Sequence, residues 1–278
     1  DCYPLPRIDA TLMAMAGAEW LSSHDLTSSF WQTRMCEADG GPGKATSREK
    51  TAFVTASGQY VWNFMPFGLR NATAHQQRQM DTIMDGVHWV FATTYVDDVN
   101  VYSTHGWEEH LEHLREFYGR LRQAGLRLKP KKCKLGRRRL ETLGHSVDGE
   151  GRRPAEGIHV AITGYGQPTT QKQLKRFLGM CSHVADYLSC FAKVAAPLRA
   201  VQNSKKGGKV MWGPLQQTAF DAIKEIMISR PVLRHPQEGE GAGQFTVRVD
   251  ACRTGLGAVL LQEQDGGLHP VRYASRVV

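Results

Sequence analysis

The chain has 278 residues, of which 41% are hydrophobic and 22% charged, and this is the composition of a folded globular protein. Its net charge of +8 at pH 7 favours a polyanionic partner such as nucleic acid, although a basic chain alone does not identify one. No apolar run approaches the roughly 20 residues of a membrane span, and no secretory signal is predicted. The six cysteines are scattered without a C-x-x-C pair, which favours free thiols over disulfides or a zinc site.

Hydrophobic periodicity and turn-forming residues predict short helices and strands along the whole chain. In the first half, the predicted elements are a helix at 8–16, a strand at 20–26, a short helix after 27, a loop at 37–48, a hairpin around 57–58, a helix at 71–84, a hairpin at 89–102 and a helix at 107–123. In the second half, they are a helix opened by the capping-box pattern Thr170-x-x-Gln173, a linker at 202–209, a helix at 214–228, and strands at 245–250 and 255–262. No internal repeat or low-complexity tract interrupts this series.

The stretch ATTYVDDVNVYS at 92–103 places two adjacent carboxylates, Asp97 and Asp98, between two short strand-like runs. Asp is favoured in tight turns, so the pair falls at the tip of a predicted hairpin. Neighbouring anionic groups repel each other unless a positive group neutralises them, and a divalent cation with oxygen ligands would do so. By itself the motif therefore fits either a polar hairpin tip or a metal site.

A third carboxylate, Asp25, lies near the end of a predicted strand and before the small-residue turn Thr27-Ser28-Ser29. Phosphoryl transfer by two metal ions requires carboxylates that bridge cations roughly 3.5–4 Å apart. Asp25 is the best candidate to complete such a set with Asp97, provided that both strands belong to one sheet. Taken alone, Asp25 also fits an ordinary surface carboxylate.

The segment at 127–139 is rich in lysine and arginine. A solvated basic loop is one interpretation, and a strip that faces nucleic-acid phosphates is the other. The basic residues of interest are Lys129, Lys131, Lys132, Lys134, Arg137, Arg138 and Arg139.

Ordered sequence blocks extend from one end of the chain to the other. They are YPLPRID at 3–9, SHDLTSSFWQ at 23–32, KTAF at 50–53, MPFGLRNA at 65–72, YVDD at 95–98, LGH at 143–145, FLGM at 177–180, APL at 196–198, DACRTGLGAVL at 250–260 and YASR at 273–276. With these blocks in this order, the chain closely resembles the reverse transcriptase region of a gypsy-type LTR-retrotransposon Pol polyprotein, with the start of the ribonuclease H domain.

The resemblance implies an α+β fold: a right-hand polymerase with partial fingers, a ferredoxin-like palm, a thumb and a connection, followed by the first strands of a ribonuclease H-like domain. The expected boundaries are 1–148 for fingers and palm, 149–210 for thumb and connection, and 211–278 for the connection helix and truncated ribonuclease H-like domain. The family's first fingers strand is expected before Asp1, and the other ribonuclease H carboxylates are expected beyond Val278. We therefore expect no ribonuclease H activity from this chain.

The implied activity is RNA-directed DNA polymerisation, in which deoxynucleotides are added to a primer 3′-hydroxyl. In the resemblance, Asp25, Asp97 and Asp98 match the polymerase carboxylates, with Asp25 and Asp97 as the main ligands of two Mg²⁺ ions, for which Mn²⁺ can substitute. The implied partners are an RNA or DNA template with its primer, deoxynucleoside triphosphates and the other Pol domains, but no membrane. The implied location is a cytoplasmic virus-like particle, the nucleus, or both.

Other matched residues surround the substrates. Phe30 matches the aromatic residue that packs under the incoming sugar and excludes a 2′-hydroxyl, although a core aromatic role is compatible with it. The remaining matches are Phe67 and Gly68 beside the nucleotide and template, Leu143, Gly144 and His145 in the primer-grip hairpin, and Asp250 as the first metal-binding carboxylate of ribonuclease H.

Several positions depart from the family pattern: Thr73 replaces Pro, Gln76 replaces Phe, Asn100 replaces an apolar strand residue, and Cys252 replaces Ser. A Gln at position 76 would weaken packing by ~1–3 kcal/mol if it is buried without a partner. The replacements at Gln76 and Asn100 favour an alternative hypothesis, a decayed or co-opted copy that is catalytically inactive and at most binds nucleic acid. A host polymerase such as telomerase does not account for the FLGM, APL and ribonuclease H-like blocks.

Overall fold

The computed structural model describes residues 3–39, 44–202, 210–229, 231–252 and 255–277. The chain divides into two compact units, Asp1–Leu140 and Glu141–Val278. Residues 40–43 of the predicted loop and residues 203–209 of the predicted linker lie outside the described residues. Within the described ranges, no helix has both the length and the apolar character needed to cross a bilayer. The five described cysteines form no disulfide with one another.

The first unit contains the helices and strands that the sequence predicts, in the same order. Its helices are α1 (Ile8–Ala14), α2 (Ala72–Ile83) and α3 (Gly106–Gln123). Its strands are β1 (Trp20–Asp25), β2 (Phe53–Thr55), β3 (Gly58–Tyr60), β4 (Ala92–Tyr95), β5 (Asp98–Ser103) and β6 (Lys134–Arg137), and β7 (Arg139–Thr142) runs across the boundary between the units.

Four antiparallel strands form the central sheet of the first unit in the order β4-β5-β1-β6. Alternation along the strands places Val99 and Val101 of β5 and Ala92 of β4 in one hydrophobic core. Apolar residues of α2 and α3, including Met80 and Phe117, belong to the same core. Burying this sheet fixes its register, because a slip of one residue would turn the valines out of the core.

A buried polar network joins β1, β5 and α3. The imidazole of His110, which is fully buried, lies 2.7 Å from Ser22 Oγ on β1 and 3.0 Å from Ser103 Oγ on β5. The backbone N–H of Gly136 donates a 2.9 Å hydrogen bond to Ser22 Oγ. Burial lowers the pKa of His110 to about 4, so this ring is neutral at pH 7.

The hairpin formed by β2 and β3 has a different environment. Every residue of both strands is exposed, including Val54 at 79%. Its side-chain contacts include aromatic pairs, with Phe53 stacked on Tyr60 at 5.9 Å and tilted against Trp62 at 5.6 Å. The turn of this hairpin lies at residues 56–57, one residue before the predicted Ser57-Gly58, because Gly58 already pairs with Thr55 as the first residue of β3.

The second unit contains four helices and two sheets within its described residues. The helices are α4 (Glu156–Thr163), α5 (Gln171–His183), α6 (Phe191–Gln202) and α7 (Pro214–Ile228). The further strands are β8 (His145–Asp148), β9 (Gly151–Pro154), β10 (Leu233–Arg234), β11 (Phe245–Cys252), β12 (Gly255–Gln264) and β13 (Gly267–Val277). The sheets have the strand orders β10-β9-β8-β7 and β11-β12-β13.

Buried aromatic and aliphatic residues hold the helices of the second unit together. Phe177 of α5 contacts Phe220 of α7 with ring centroids 4.7 Å apart, and Leu174 and Leu178 lie in the same core. The capping box predicted at Thr170 is present, because its hydroxyl accepts a hydrogen bond from the Gln173 backbone N–H while the Gln173 side chain bonds the Thr170 backbone. Helices α4 and α6 were not predicted, and Pro197 lies inside α6.

Candidate active site

The Asp97–Asp98 pair lies at the tight turn between β4 and β5, as predicted. Val96, just before the pair, has φ of 59°, a conformation that costs free energy for a β-branched residue. The side chain of Gln77 on α2 is fully buried, and its Oε1 accepts a 2.8 Å hydrogen bond from the Val96 N–H. The Gln77 amide nitrogen donates to Asp81 Oδ1 at 2.8 Å and to Thr94 Oγ1 at 3.0 Å. Gln77 therefore fixes the strained turn.

Asp25 ends β1 directly beside this turn. Its Cα partner across the β1–β5 pair is Asp98, so the three candidate carboxylates occupy neighbouring ends of adjacent strands. The backbone is held there by hydrogen bonds from Leu26 N to Asp97 O at 3.4 Å and from Lys129 N to Asp25 O at 2.8 Å. The sheet therefore brings Asp25, Asp97 and Asp98 together across 72 residues of sequence, from 25 to 97.

Negative charge accumulates at this end of the sheet. The pKa of Asp98 is raised, first because the carboxyl is partly removed from water and then because Asp97 and Asp25 are close to it. One basic side chain offsets this charge, since Lys132 Nζ lies 2.7 Å from Asp25 Oδ2. Hydrogen bonding and ion pairing with Asp25 raise the pKa of Lys132.

The three carboxylates fit a divalent cation, because Mg²⁺ prefers oxygen ligands of this kind. A bound cation would also offset the like charges that oppose ionisation of these groups. The side chains are not assembled as a ligand cage, however. Across the described residues, no group of three or more His, Cys, Asp or Glu side chains is arranged so that it could hold a metal ion. The ion pair between Lys132 and Asp25 engages one of the three carboxylates.

Aromatic residues lie next to the carboxylates along the chain. Phe30 lies in a 3₁₀ turn, Ser29–Gln32, immediately after β1. Its ring contacts the ring of Phe67 edge-on with centroids 5.7 Å apart, and the Phe67 side chain is 67% exposed. Gly68 has φ of 88°, which a residue without Cβ adopts freely. The structure therefore brings Phe30 and Phe67, two residues assigned by the resemblance, into contact.

The basic segment at 127–139 is ordered rather than a loop. It contains a 3₁₀ turn, Pro130–Lys132, and β6, which pairs with β1. Among its side chains, Lys132 pairs with Asp25 and Arg138 pairs with Glu19 at 3.2 Å. The Arg138 guanidinium also lies 4.0 Å from the centre of the Trp20 ring. The exposed members of the segment include Lys129, Lys131, Lys134, Arg137 and Arg139.

The matched residues of the second unit have varied environments. Leu143 and Gly144 form a turn with φ of 50° and 80°. His145 is buried, its Nδ1 lies 2.8 Å from the Tyr187 hydroxyl, and burial lowers its pKa to about 4. Asp250 lies exposed on β11 opposite Gly257 of β12. The His145 side chain is therefore bonded inside its own unit.

Sequence reasoning did not identify Gln77 or the specific role of Lys132. Gln77 lies within the helix predicted at 71–84, next to another glutamine, and nothing in the sequence separates a turn-holding amide from a surface one. Lys132 was recognised only as one of several basic residues. Both roles depend on contacts between distant parts of the chain, at separations of 19 and 107 residues.

Comparison with known proteins places the chain in a family. The model described as "Reverse transcriptase (RNA-dependent DNA polymerase)" matches residues 1–147, and "RNase H-like domain found in reverse transcriptase" matches residues 212–278. The Pol polyprotein of transposon opus from Drosophila melanogaster is 34% identical over 285 residues, which cover 99% of this chain and 27% of that protein. The Tf2-3 polyprotein of Schizosaccharomyces pombe is 27% identical, with 99% of this chain and 20% of that protein covered. The chain thus spans about a fifth to a quarter of these relatives' length.

The fold has a solved counterpart in the foamy viral protease-reverse transcriptase, described in complex with an RNA/DNA hybrid. The two share a TM-score of 0.83 at 23% identity, and the match covers 99% of this chain and 36% of that one. The predicted fold, a right-hand polymerase followed by a ribonuclease H-like domain, is thereby confirmed. With more than half of its residues matched by the first family model, the chain belongs to the reverse transcriptase family.

Proposed function

We propose that the first unit adds deoxynucleotides to a primer 3′-hydroxyl on an RNA or DNA template, as part of a retrotransposon Pol polyprotein. The observation that carries this proposal is the pairing of Asp25 with Asp98 across β1 and β5, with Asp97 next to them in the turn. Carboxylates gathered at the ends of two adjacent strands are the type of ligand that two-metal phosphoryl transfer requires.

Asp25, Asp97 and Asp98 would hold two Mg²⁺ ions, or Mn²⁺ in their place. When bound, such ions supply Lewis acidity toward phosphate oxygens and favour the ionised form of the attacking hydroxyl. The protein's own contribution is positioning. Gln77 holds the turn that carries Asp97, and the β1–β5 ladder sets the spacing between the strand ends.

Phe30 would form the floor under the incoming sugar. Its ring is held by Phe67, and a flat, fixed ring leaves no space for a 2′-hydroxyl. Gly68 beside Phe67 lets the backbone approach the nucleotide closely. This arrangement supports a preference for deoxynucleotides over ribonucleotides.

The proposed nucleic-acid partner is a template–primer duplex. The foamy viral relative in fold is described with an RNA/DNA hybrid, and a related structure of it with double-stranded DNA. In this chain, the exposed Lys129, Lys131, Lys134 and Arg137 would contact phosphates, with Leu143 and Gly144 near the primer. Binding should weaken steeply as salt rises, because each phosphate contact releases counterions.

A second candidate function is nucleic-acid binding without catalysis. Gln76 favours this candidate, because it is fully buried with neither amide atom hydrogen-bonded to a described residue and therefore lowers the stability of the first unit. The complete carboxylate set favours the catalytic proposal. The two differ in one measurable property, extension of a primer.

Primer extension on a homopolymeric RNA template with Mg²⁺ tests the proposal, with Asp97→Asn as the matched variant. We expect extension by the chain and a loss of at least about 100-fold in Asp97→Asn, because the substitution removes a charged ligand. Retained duplex binding by both proteins, with extension by neither, would favour the non-catalytic candidate. The same assay with ribonucleotides should show higher incorporation by Phe30→Val than by the parent chain.

A further inference from the structure

Two hydrogen bonds to Asp25 place Lys132 beside the carboxylates, one from the Lys129 backbone and one from the Lys132 side chain. The backbone carbonyl of Asp25 accepts a 2.8 Å hydrogen bond from Lys129 N, which starts the turn Pro130–Lys132. The turn is closed by a 2.9 Å bond from Lys132 N to Lys129 O. Lys132 Nζ then reaches back to Asp25 Oδ2 at 2.7 Å. This ammonium group is therefore built into the candidate site.

The Lys132 charge acts on all three carboxylates. Asp25 makes the direct contact, and the negative charges of Asp97 and Asp98 also raise the pKa of Lys132. In return, Lys132 opposes the rise in the pKa of Asp98. The Lys132 side chain is 56% exposed, whereas that of Asp25 is 19% exposed. The ammonium can therefore leave the site into water, while the carboxylate stays.

We infer that Lys132 is an internal counter-ion of the carboxylate site, which a divalent cation must displace from Asp25 before the three carboxylates can converge on it. This inference rests on the proposed function, since it concerns the same metal site. It accounts for the position of the Lys132 ammonium group, which lies 2.7 Å from one of three carboxylates that the sheet brings together.

The inference sets a direction for metal affinity. Removing the Lys132 charge, which competes with the cation for Asp25, should tighten divalent-ion binding. A side chain that pairs with Asp25 more strongly than Lys132 does should weaken it. Lys132→Gln removes the charge, whereas Lys132→Arg keeps it and can form a two-point pair with a carboxylate. The neighbouring Lys131→Gln is the matched control, because it removes the same charge from an exposed side chain one residue away.

Manganese binding to the full chain tests this without any polymerase assay. Mn²⁺ is titrated into each variant, and free Mn²⁺ is measured by electron paramagnetic resonance, with circular dichroism to establish that each variant is folded. We expect a Kd about two- to five-fold lower for Lys132→Gln than for Lys131→Gln, which is the range of an exposed ion pair. Lys132→Arg should have a Kd equal to or above that of the parent.

Failure of the inference and failure of the metal site give different results. If Asp25→Asn and Asp97→Asn bind Mn²⁺ as the parent does, the carboxylate metal site itself is overturned. If both lose binding while Lys132→Gln and Lys131→Gln have equal Kd values, the site stands and the counter-ion role of Lys132 is overturned. If Lys132→Gln binds Mn²⁺ more weakly, Lys132 assists metal binding, and the inference is also wrong.

Discussion

The two halves of the carboxylate site are held in different ways. The turn that carries Asp97 and Asp98 is fixed by Gln77, which is fully buried and fully hydrogen-bonded. The Asp25 side chain is instead held by an ion pair with Lys132, more than half of which is exposed. Buried hydrogen bonds are costly to break, whereas exposed ion pairs contribute little and exchange readily. One half of the site is therefore preorganised, and the other half is adjustable.

Substituting Gln77 by Leu should have the largest effect on the preorganised half. Leu preserves the volume but leaves the Val96 N–H without its acceptor and the hydroxyl of Thr94 without its donor. A buried group left unpaired costs about 1–3 kcal/mol, and displacement of the turn should lower extension activity about 10- to 100-fold. Activity is measured by primer extension, and the free energy of unfolding by urea titration.

The two measurements on Gln77→Leu separate positioning from simple stability. The variant should lose activity at temperatures where circular dichroism shows it folded. If its activity matches that of the parent whenever it is folded, then Gln77 stabilises the unit without positioning Asp97, and the contrast between the two halves is not valid.

The next prediction concerns His110, which links the strands of the two halves through Ser22 and Ser103. Burial lowers the pKa of His110 to about 4 from an ordinary value of 6.5. Between these pH values the unfolded chain takes up a proton that the folded chain does not. The free energy of unfolding therefore falls as pH drops from about 6.5 to about 4, by up to about 3 kcal/mol from this group.

His110→Gln tests this linkage, because Gln does not titrate. Urea midpoints of the parent should fall more steeply between pH 6.5 and 4.5 than those of the variant. Burial lowers the pKa of His24 to about 4 as well, so the variant keeps part of the slope. Parallel pH profiles for the two proteins would mean that His110 is protonated in the folded state or is not responsible for acid sensitivity.

Much of the first unit was predictable because local patterns and packing agree there. Short apolar runs rich in β-branched and aromatic residues predicted β4 and β5, and Asp is favoured in the tight turn between them. Asp25 was placed at a strand end by its own sequence context. That its partner across the sheet is Asp98 could not be read locally, since register depends on the burial of Val99 and Val101.

The second unit was less predictable where packing overrides local signals. Helix α6 contains Pro197, which removes a backbone hydrogen bond and argues against a helix, yet Phe191 and Leu198 are buried in the unit's core. The basic segment at 127–139 posed the opposite problem. Its composition fits a loop, but pairing of β6 with β1 orders it, and this pairing is not visible in the segment itself.

Gln76 gives the smallest effect and the sharpest control, because it adjoins Gln77 on α2 and is equally buried. Neither amide atom of Gln76 is hydrogen-bonded to a described residue, so no hydrogen bond offsets the free-energy cost of removing the amide from water. Gln76→Leu should therefore raise the free energy of unfolding by about 1 kcal/mol with activity unchanged. In urea titrations, the free energy of unfolding should fall for Gln77→Leu and rise for Gln76→Leu, although both variants replace glutamine by leucine. Destabilisation by Gln76→Leu would instead mean that the amide is hydrogen-bonded through a bound water.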